Sequence, residues 1–440
     1  MKGYYWIPLS IGCWFLSTST FAQDSIRNNP LTIAEVCRLA LSNSTRLKID
    51  RTNVDLAVQE TNIERLGRLP NLKANLDYGY LSDAQVWKPG FSHHSTAGLP
   101  HPLTLFTVTA TETLYAGGRI NNSIRLSTLG EKIAFLQQQK DETDIKFLVI
   151  SEYLDIYRLL NQRTVYINNS LLAKQRLKNI LSMRKEGMVT LNDQLRTELT
   201  ISDYDLTTRK IANSIVALNN QLNVVLDLPD SSRLIPDTTV LQQTMPAETV
   251  QGLMDIALRE DPGLKISGRK VEAAVTRIEI LKGERMPEVA LLAQSDLQRP
   301  FLNTIPSIDV YYNVWRAGIG LRYNIGSIYQ SPRRIKAGRI GLDVARKEDS
   351  LQRQNLEVAV KNALIRYNEG QDELRTWRND LRSAEENYRI VENRYFNQLA
   401  LLTDLIDATN NKTDAEIKVK DAEINVVFYY YQLLKTIGTL

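Results

Sequence analysis

The most extended pattern in the chain is a run of apolar residues spaced three and four positions apart. Between positions 119 and 182 this spacing continues without a proline and with Gly130 as the one glycine. Apolar residues at such steps form one face of an α-helix, so the pattern predicts a helix of about 63 residues, or about 95 Å. The stretch "RKEGMVTLND" interrupts the pattern, and a second helix is predicted over 191–226.

A different pattern, alternation of apolar and polar residues, marks four shorter stretches at about 71–81, 104–115, 288–298 and 312–325. It predicts β-strands with one apolar and one polar face. A length of about 10 residues suits a strand that crosses a bilayer at a tilt. An ordinary half-buried antiparallel sheet would show the same alternation. The position of the strands between long helices in an exported chain favours the membrane.

The same order of predicted helices and strands occurs twice along the chain. Residues 32–70 align without a gap on residues 249–287, with Ala40 opposite Ala257 and both segments ending in proline. A long ungapped register of this kind indicates duplication. The predicted organisation is a signal peptide (1–22), a first structural repeat (23–230), a linker (231–247) and a second structural repeat (248–440). The predicted helices are 32–69, 119–182 and 191–226 in the first repeat, and 249–285, 333–396 and 403–438 in the second.

The N-terminal stretch "MKGYYWIPLSIGCWFLSTSTFA" has the features of an export signal. Lys2 precedes an apolar run that extends to about position 16, and Ala22 is the expected cleavage point. The alternative is a lipoprotein signal that is acylated at Cys13. With cleavage after Ala22 only Cys37 remains, which excludes a disulfide within one chain.

Composition narrows the class of protein further. The 440 residues are 24% charged and 43% hydrophobic, which is a globular composition, and the net charge is +4. Lys and Arg alternate with Glu and Asp along the predicted helices, so there is no concentrated basic patch. Nucleic acid is therefore not expected as a partner.

Four membrane strands cannot close a barrel, because the smallest known barrels have eight. An open sheet in lipid would leave the backbone groups of its edges unpaired. We therefore expect the chain to assemble with copies of itself. Three copies give a trimeric, 12-stranded β-barrel, continued by an α-helical barrel of long coiled-coil helices that reaches roughly 100 Å into the periplasm. The predicted fold class is thus mainly α with transmembrane β.

Several stretches carry a resemblance to a known family. They are the paired openings "ALxxxxxLK", the turns "RLPNL" and "RMPEV", the strand-to-helix segment "ETLYAGGRINN" and the closing "QLLKTIGTL". Their order and duplication resemble the TolC family of outer-membrane efflux channels over essentially the whole mature length. The resemblance implies a homotrimer in outer-membrane lipid. It also implies docking, through a periplasmic adaptor (membrane fusion) protein, onto an inner-membrane RND or ABC-type transporter in efflux or type I secretion.

The stretch "LLTDLIDATN" places two carboxylates, Asp404 and Asp407, on one helix face. The resemblance puts them at the periplasmic constriction of the pore. In a trimer the pair becomes six carboxylates around a narrow opening, which favours cations over anions. The alternative is a solvated helix face, where most helical aspartates lie. The same polar face is continued by Asn411, Asp414, Lys418 and Asp421, whereas Ala408, Ala415 and Ala422 recur every seven residues on another face.

The resemblance also implies an entrance latch built from polar contacts between neighbouring helices. Tyr395 and Asp193 stand on latch positions, and Asn192 stands where the family carries threonine. Ala400 replaces an arginine of the family pattern, so a salt-bridged latch is not expected.

The two helix reversals, "KEGMVTLND" and "NQLALLTD", are the segments where the resemblance implies that the adaptor docks. Gly187 suits a tight reversal. The apolar contacts would come from Met188, Val189, Leu399 and Leu401. A purely structural turn explains Gly187 equally well.

An enzyme would need a catalytic constellation, and the sequence offers none. His93, His94 and His101 share one loop without a nearby Cys, Asp or Glu, so we expect exposed loop histidines and no metal or cofactor. "YAGGR" is too short for a phosphate loop. The remaining alternative to a channel is a periplasmic coiled-coil scaffold or adaptor protein without a pore.

Overall fold

The computed structural model describes residues 31–230, 232–237, 249–304 and 306–440. The predicted signal peptide, with Cys13 and Ala22, and most of the predicted linker lie outside these residues. The helices are α1 (Ile33–Asn43), α2 (Thr45–Leu66), α3 (Arg119–Lys185), α4 (Leu191–Leu226), α5 (Val250–Glu260), α6 (Pro262–Gly283), α7 (Ser327–Phe396) and α8 (Leu402–Thr436). The strands are β1 (Asn71–Tyr80), β2 (Ala84–Trp87), β3 (His94–Ala97), β4 (Pro102–Tyr115), β5 (Glu288–Arg299) and β6 (Tyr312–Arg322).

The first helix of each repeat is broken where a continuous helix was predicted. Ser44 and Asp261 both have extended backbone angles, with ψ near 122° and 118°. Pro262 accounts for the second break, because the residue before a proline is driven out of the helical region. The first break has the same geometry without a proline. The sequence missed both breaks because the apolar spacing continues across them.

Two other features differ from the expected elements. Helix α7 begins at Ser327 rather than at 333, so that Pro332 lies inside the helix. Proline is uncommon in a helix interior because it lacks the backbone N–H that the helix would bond. The loop between the first two predicted strands carries a short hairpin, β2–β3, which has no alternating pattern long enough to reveal it.

The main sheet has the order β1-β4-β5-β6 and is antiparallel throughout. Its central pair joins the two repeats, since β4 belongs to the first and β5 to the second. Register places most of the apolar residues of all four strands on one face, where Leu72, Tyr78, Trp315 and Ile319 are more than 70% exposed. The other face is mainly polar. Among the described residues, β1 and β6 each have one free edge.

The helices form a layer that continues the sheet. Helix α3 packs against α2 and α4 on one side and against α6 and α8 on the other, and α7 packs against α6 and α8. The layer therefore has four columns, of which α2 with α4 and α7 are the outermost. Because α2 leads into β1 and β6 leads into α7, the sheet and the helical layer end on the same two edges.

The largest core lies midway along the helices, where α1, α3, α4 and α8 meet. Leu47, Tyr153, Leu154 and Leu222 are fully buried there. The Tyr153 hydroxyl donates to the Leu31 carbonyl at 2.7 Å. Among the described residues, no helix has the length and apolar character that crossing a bilayer requires.

Candidate functional site at the helical tip

The end of the helical layer far from the sheet, which we call the tip, consists of two chain reversals of the same design. The first joins α3 to α4 and the second joins α7 to α8. Gly187 and Gln398 adopt positive φ angles of 72° and 61°. The following N–H groups, of Met188 and Leu399, donate back into the preceding helix over 2.9 and 2.7 Å. This is the Schellman ending, in which a left-handed residue closes the helix.

Both returning helices then start with an acidic residue that caps the helix. The Asp193 carboxylate accepts from the backbone N–H and the hydroxyl of Thr190, each at 2.8 Å. The Asp404 carboxylate accepts from the Leu401 N–H at 3.1 Å. Carboxylates in the first turn satisfy free N–H groups and favour the helix dipole. Asp193 and Asp404 are therefore equivalent positions of the duplicated turn.

The two predicted constriction residues are exposed on the same side of α8. Asp404 and Asp407 both face solvent, whereas Leu405, which lies between them in the sequence, and Ala408, which follows Asp407, are buried. Within the described chain, Asp407 has no hydrogen bond or ion pair. The two carboxylates therefore point away from their own chain, with Asp404 anchored by its capping bond and Asp407 unanchored.

The polar face of α8 continues from Asp404 and Asp407 toward the sheet, where it becomes half-buried against the rest of the chain. Asn411, Asp414 and Lys418 are exposed. Asp421 is half-buried and accepts from the Gln162 side chain at 3.0 Å, and burial raises the pKa of its carboxyl. On the opposite side, the alanines expected to allow close helix packing are buried: Ala408, Ala415 and Ala422.

The predicted latch residues come together but are not hydrogen-bonded to one another. Tyr395 is buried between Ile180 and Leu405, and its hydroxyl has no hydrogen-bond partner in the part of the chain that is described. Burial and the nearby charge of Asp193 raise the pKa of Tyr395. The carboxylate of Asp193 is bonded to Thr190 instead.

The other two positions of the latch pattern have no polar role within the chain. Asn192 is exposed at the start of α4. Ala400 is half-buried and packs against the apolar cluster of the tip. The methyl group of Ala400 is therefore too short to reach the first reversal.

A polar network next to the tip, on the side toward the sheet, was not predicted from the sequence. The buried Arg176 guanidinium donates to the Thr409 hydroxyl at 3.3 Å and to the Tyr388 hydroxyl at 3.2 Å, and it lies 4.0 Å from the Glu392 carboxylate. The Tyr388 hydroxyl donates to Glu392. Burial raises the pKa of Tyr388 to about 12, so that it stays a donor.

This network links α3, α7 and α8 at one level. A signal for it exists in the sequence, because Arg176 falls on the buried face of α3 between Ala173 and Ile180. A charge in a row of apolar positions indicates a buried partner.

The tip also carries exposed apolar side chains. Met188, Leu399 and Leu401 are 54%, 67% and 70% exposed. Leu191, which is not among the predicted tip contacts, is 54% exposed. Val189 differs from the expectation of an outward contact, because it is half-buried against the cluster around Tyr395.

The three histidines are spread over the far end of the sheet. His101 stacks on Tyr80 with ring centroids 4.8 Å apart, and His94 stacks on Trp87 at 6.3 Å. Over the described ranges, no three His, Cys, Asp or Glu side chains are grouped so that they could hold a metal ion.

The fold is a four-stranded antiparallel sheet continued by a layer of long helices that ends in the tip. No protein-family model matches the chain. The chain is 21% identical to the outer membrane protein TolC of Escherichia coli over 452 residues, covering 99% of this chain and 86% of that protein. The outer-membrane channel OprN has the same fold, with a TM-score of 0.78 at 14% identity over 93% of this chain and 90% of its own. The outer membrane protein VceC of Vibrio cholerae gives 0.77 at 13% identity over 92% and 96%.

The sequence match extends over nearly the whole chain, and the fold agrees with it. The chain is therefore similar, in sequence and in fold, to outer-membrane channels of the TolC type. The proteins to which it is similar are named as an outer membrane protein and as an outer-membrane channel. The TolC-like channels to which it is similar are not enzymes.

Proposed function

We propose that three copies of the chain close into a 12-stranded barrel continued by a helical tube, and that this tube is the exit duct of a tripartite efflux or type I secretion system. The observation that carries the proposal is the pair of matched edges. The free edges of β1 and β6 lie on the same sides as α2 with α4 and α7. Unpaired strand edges in lipid cost several kcal/mol for each group, which a head-to-tail ring removes.

The polar face of the sheet suits the lining of a water-filled passage. Thr107 of β4 donates to Asp296 of β5 at 3.0 Å, and Arg316 of β6 donates to Gln294 of β5 at 2.8 Å. Charged side chains of both signs on one sheet face are stable in water but not in lipid. The apolar face, with Trp315 and Ile319, would then meet outer-membrane lipid.

The helical layer is long enough to carry the passage deep into the periplasm. Helix α3 has 67 residues and α7 has 70. At 1.5 Å per residue each spans about 100 Å. The tip would therefore lie far from the outer membrane, where a periplasmic adaptor and an inner-membrane RND or ABC-type transporter can reach it.

Asp404 and Asp407 are proposed to form the selective ring of the constriction. Their outward orientation from the chain supports this role, because three copies would bring six carboxylates together. Replacing both residues by asparagine is expected to reduce the preference for cations in planar-bilayer recordings. Asparagine keeps an acceptor for the Leu401 N–H, so the start of α8 is preserved. The control is Asp230→Asn, which removes one carboxylate charge beyond the end of α4. Unchanged ion selectivity in the double variant would refute the ring.

The exposed apolar side chains of the tip are proposed as the adaptor contact, with Met188 and Leu399 at equivalent positions of the two reversals. The latch is proposed to depend on Tyr395 and Asp193, without the arginine that Ala400 replaces. Asn192 would face the neighbouring copy.

The alternative function is a periplasmic coiled-coil scaffold or adaptor without a pore. Membrane extraction separates the two. A channel needs detergent, whereas a scaffold is removed by salt. Purified protein that gives no pore in planar bilayers and washes off with salt would refute the channel.

A further inference from the structure

Two apolar stripes lie on the outermost helices of the chain. The first, on α2, consists of Ile49, Leu56 and Ile63; the second, on α7, consists of Ala337, Val344, Leu351, Val358 and Ile365. The members larger than alanine are between 49% and 64% exposed. Each stripe repeats every seven residues, which is the spacing of a coiled-coil seam.

Both stripes point away from their own chain, except that Ala337 also lines the cavity between α6 and α7. Leu47, two residues before Ile49, is fully buried, and Val360, two residues after Val358, is fully buried. Positions two apart lie about 200° apart around a helix. The stripes are therefore on the faces opposite to those that pack within the chain.

Contacts across the helical layer show which residues stand at the same height. Near the sheet, Thr61 of α2 hydrogen-bonds to Ser127 of α3 at 3.1 Å. Leu126 of α3, Leu281 of α6 and Gly338 of α7 line one cavity. These contacts define an upper level that crosses all four columns.

A lower level is defined in the same way. Arg46 of α2 forms an ion pair with Asp141 of α3, and the adjacent Lys140 lines a cavity with Gly263 of α6 and Gln352 of α7. Between the two levels α2 covers 15 residues, from 61 to 46, and α7 covers 14, from 338 to 352. The two outer helices therefore descend in step.

This comparison places the stripes in register. The residues at matching heights are Ile63 with Ala337, Leu56 with Val344, and Ile49 with Leu351. A rotation about an axis parallel to the helices moves each helix sideways and leaves its height unchanged. We propose that the α7 stripe of one copy docks onto the α2 stripe of the next copy and forms the seam between subunits. This assignment rests on the ring proposed above.

The seam is continuous with the joint between β6 and β1, because α7 follows β6 and α2 precedes β1. Its apolar part ends toward the tip. After Ile365 the same seven-residue positions of α7 are the exposed polar residues Asp372, Asn379 and Glu386. The seam therefore excludes water in the half near the sheet, and only polar groups meet closer to the tip.

Disulfide trapping tests the seam in the detergent-purified full chain. In a Cys37→Ser background, Leu56→Cys with Val344→Cys is expected to give a covalent trimer on oxidation, seen in denaturing gels without reductant. The matched control is Leu56→Cys with Leu351→Cys, which is one heptad, or about 10.5 Å, out of register. A disulfide requires Cα atoms within about 7 Å, so the control pair should not react.

Opposite charges introduced at positions 56 and 344 test the seam independently. Leu56→Lys is expected to lose the trimer in native gels, and Leu56→Lys with Val344→Glu is expected to restore it. If the protein conducts as a trimer but the in-register pair fails to cross-link, or the control pair reacts preferentially, the seam assignment is overturned and the channel stands. If the unmodified protein is a monomer in detergent and does not conduct, the proposed function fails together with the seam.

Discussion

Replacing Arg176 by methionine should loosen the tip of the helical layer. The guanidinium of Arg176 holds Thr409 of α8 and Tyr388 of α7, and it lies 4.0 Å from the Glu392 carboxylate. At that distance and an effective dielectric constant of about 20, the charge pair is worth about 4 kcal/mol. The Glu392 side chain is 34% exposed, so solvent reduces this value. Methionine keeps most of the apolar stem, and we expect a net loss of about 2–3 kcal/mol in the free energy of local opening.

Hydrogen exchange read by mass spectrometry measures this opening directly. A loss of about 2–3 kcal/mol corresponds to exchange about 30 to 150 times faster in the tip segments of α7 and α8. The matched control is Arg184→Met in the last turn of α3, where the arginine is exposed and bonds to Gln194. Exchange in the core around Tyr153 should not change. If Arg176→Met leaves the protection of residues 384–396 and 402–413 as it was, the network does not hold the tip.

Three further predictions, made with four substitutions, test the local chemistry. Tyr395→Phe removes a buried hydroxyl that lacks a partner in the described chain, so the free energy of unfolding should stay the same or rise by about 1 kcal/mol; a clear loss in denaturant unfolding would mean that the hydroxyl is bonded in the assembled protein. Burial and Asp155 raise the pKa of Glu152, so the folded state binds the proton more tightly and stability falls as pH rises from about 4.5 to the raised pKa. Glu152→Gln should therefore raise the thermal midpoint at pH 7 but not at pH 4, and equal shifts at both values would contradict this sign. Gln398→Gly should stabilise the second reversal by up to about 1 kcal/mol, whereas Gly187→Ala should cost about 1–2 kcal/mol; the denaturant midpoint of each variant decides.

The long helices α3, α4, α7 and α8 and the strands of the main sheet were predictable because their periods are long, whereas the breaks at Ser44 and Asp261 were not. The ends of β1 and the start of α3 agree closely with the alternation and with the glycines of "YAGGR". The hairpin β2–β3 was not predictable, because four-residue strands in an exposed loop leave no apolar face to recognise.

The candidate site was predictable only in part. The exposure of Asp404 and Asp407 follows from helical spacing, since the apolar residues between them must face inward. The capping role of Asp404 could not be read from the sequence, because Leu401 at the start of α8 is not a capping residue. The bonding of Asp193 to Thr190 does carry a sequence signal, since threonine three residues before an acidic residue is typical of a capping box. Because Asp193 and Asp404 occupy equivalent positions of the two reversals, the capping box at Asp193 indicates where Asp404 caps α8.

The junction of β4 with β5 has a consequence for how the polypeptide is made. Thr104 lies opposite Arg299, so the two halves of the sheet meet only after almost two hundred further residues have been exported. Contacts so distant along the chain form slowly. Until then the hairpin of β1 and β4 exposes its apolar face to water, and exposed apolar surface promotes aggregation of a nascent protein. Shielding of this first hairpin until β5 and β6 appear would therefore lower the risk of aggregation before the sheet is complete.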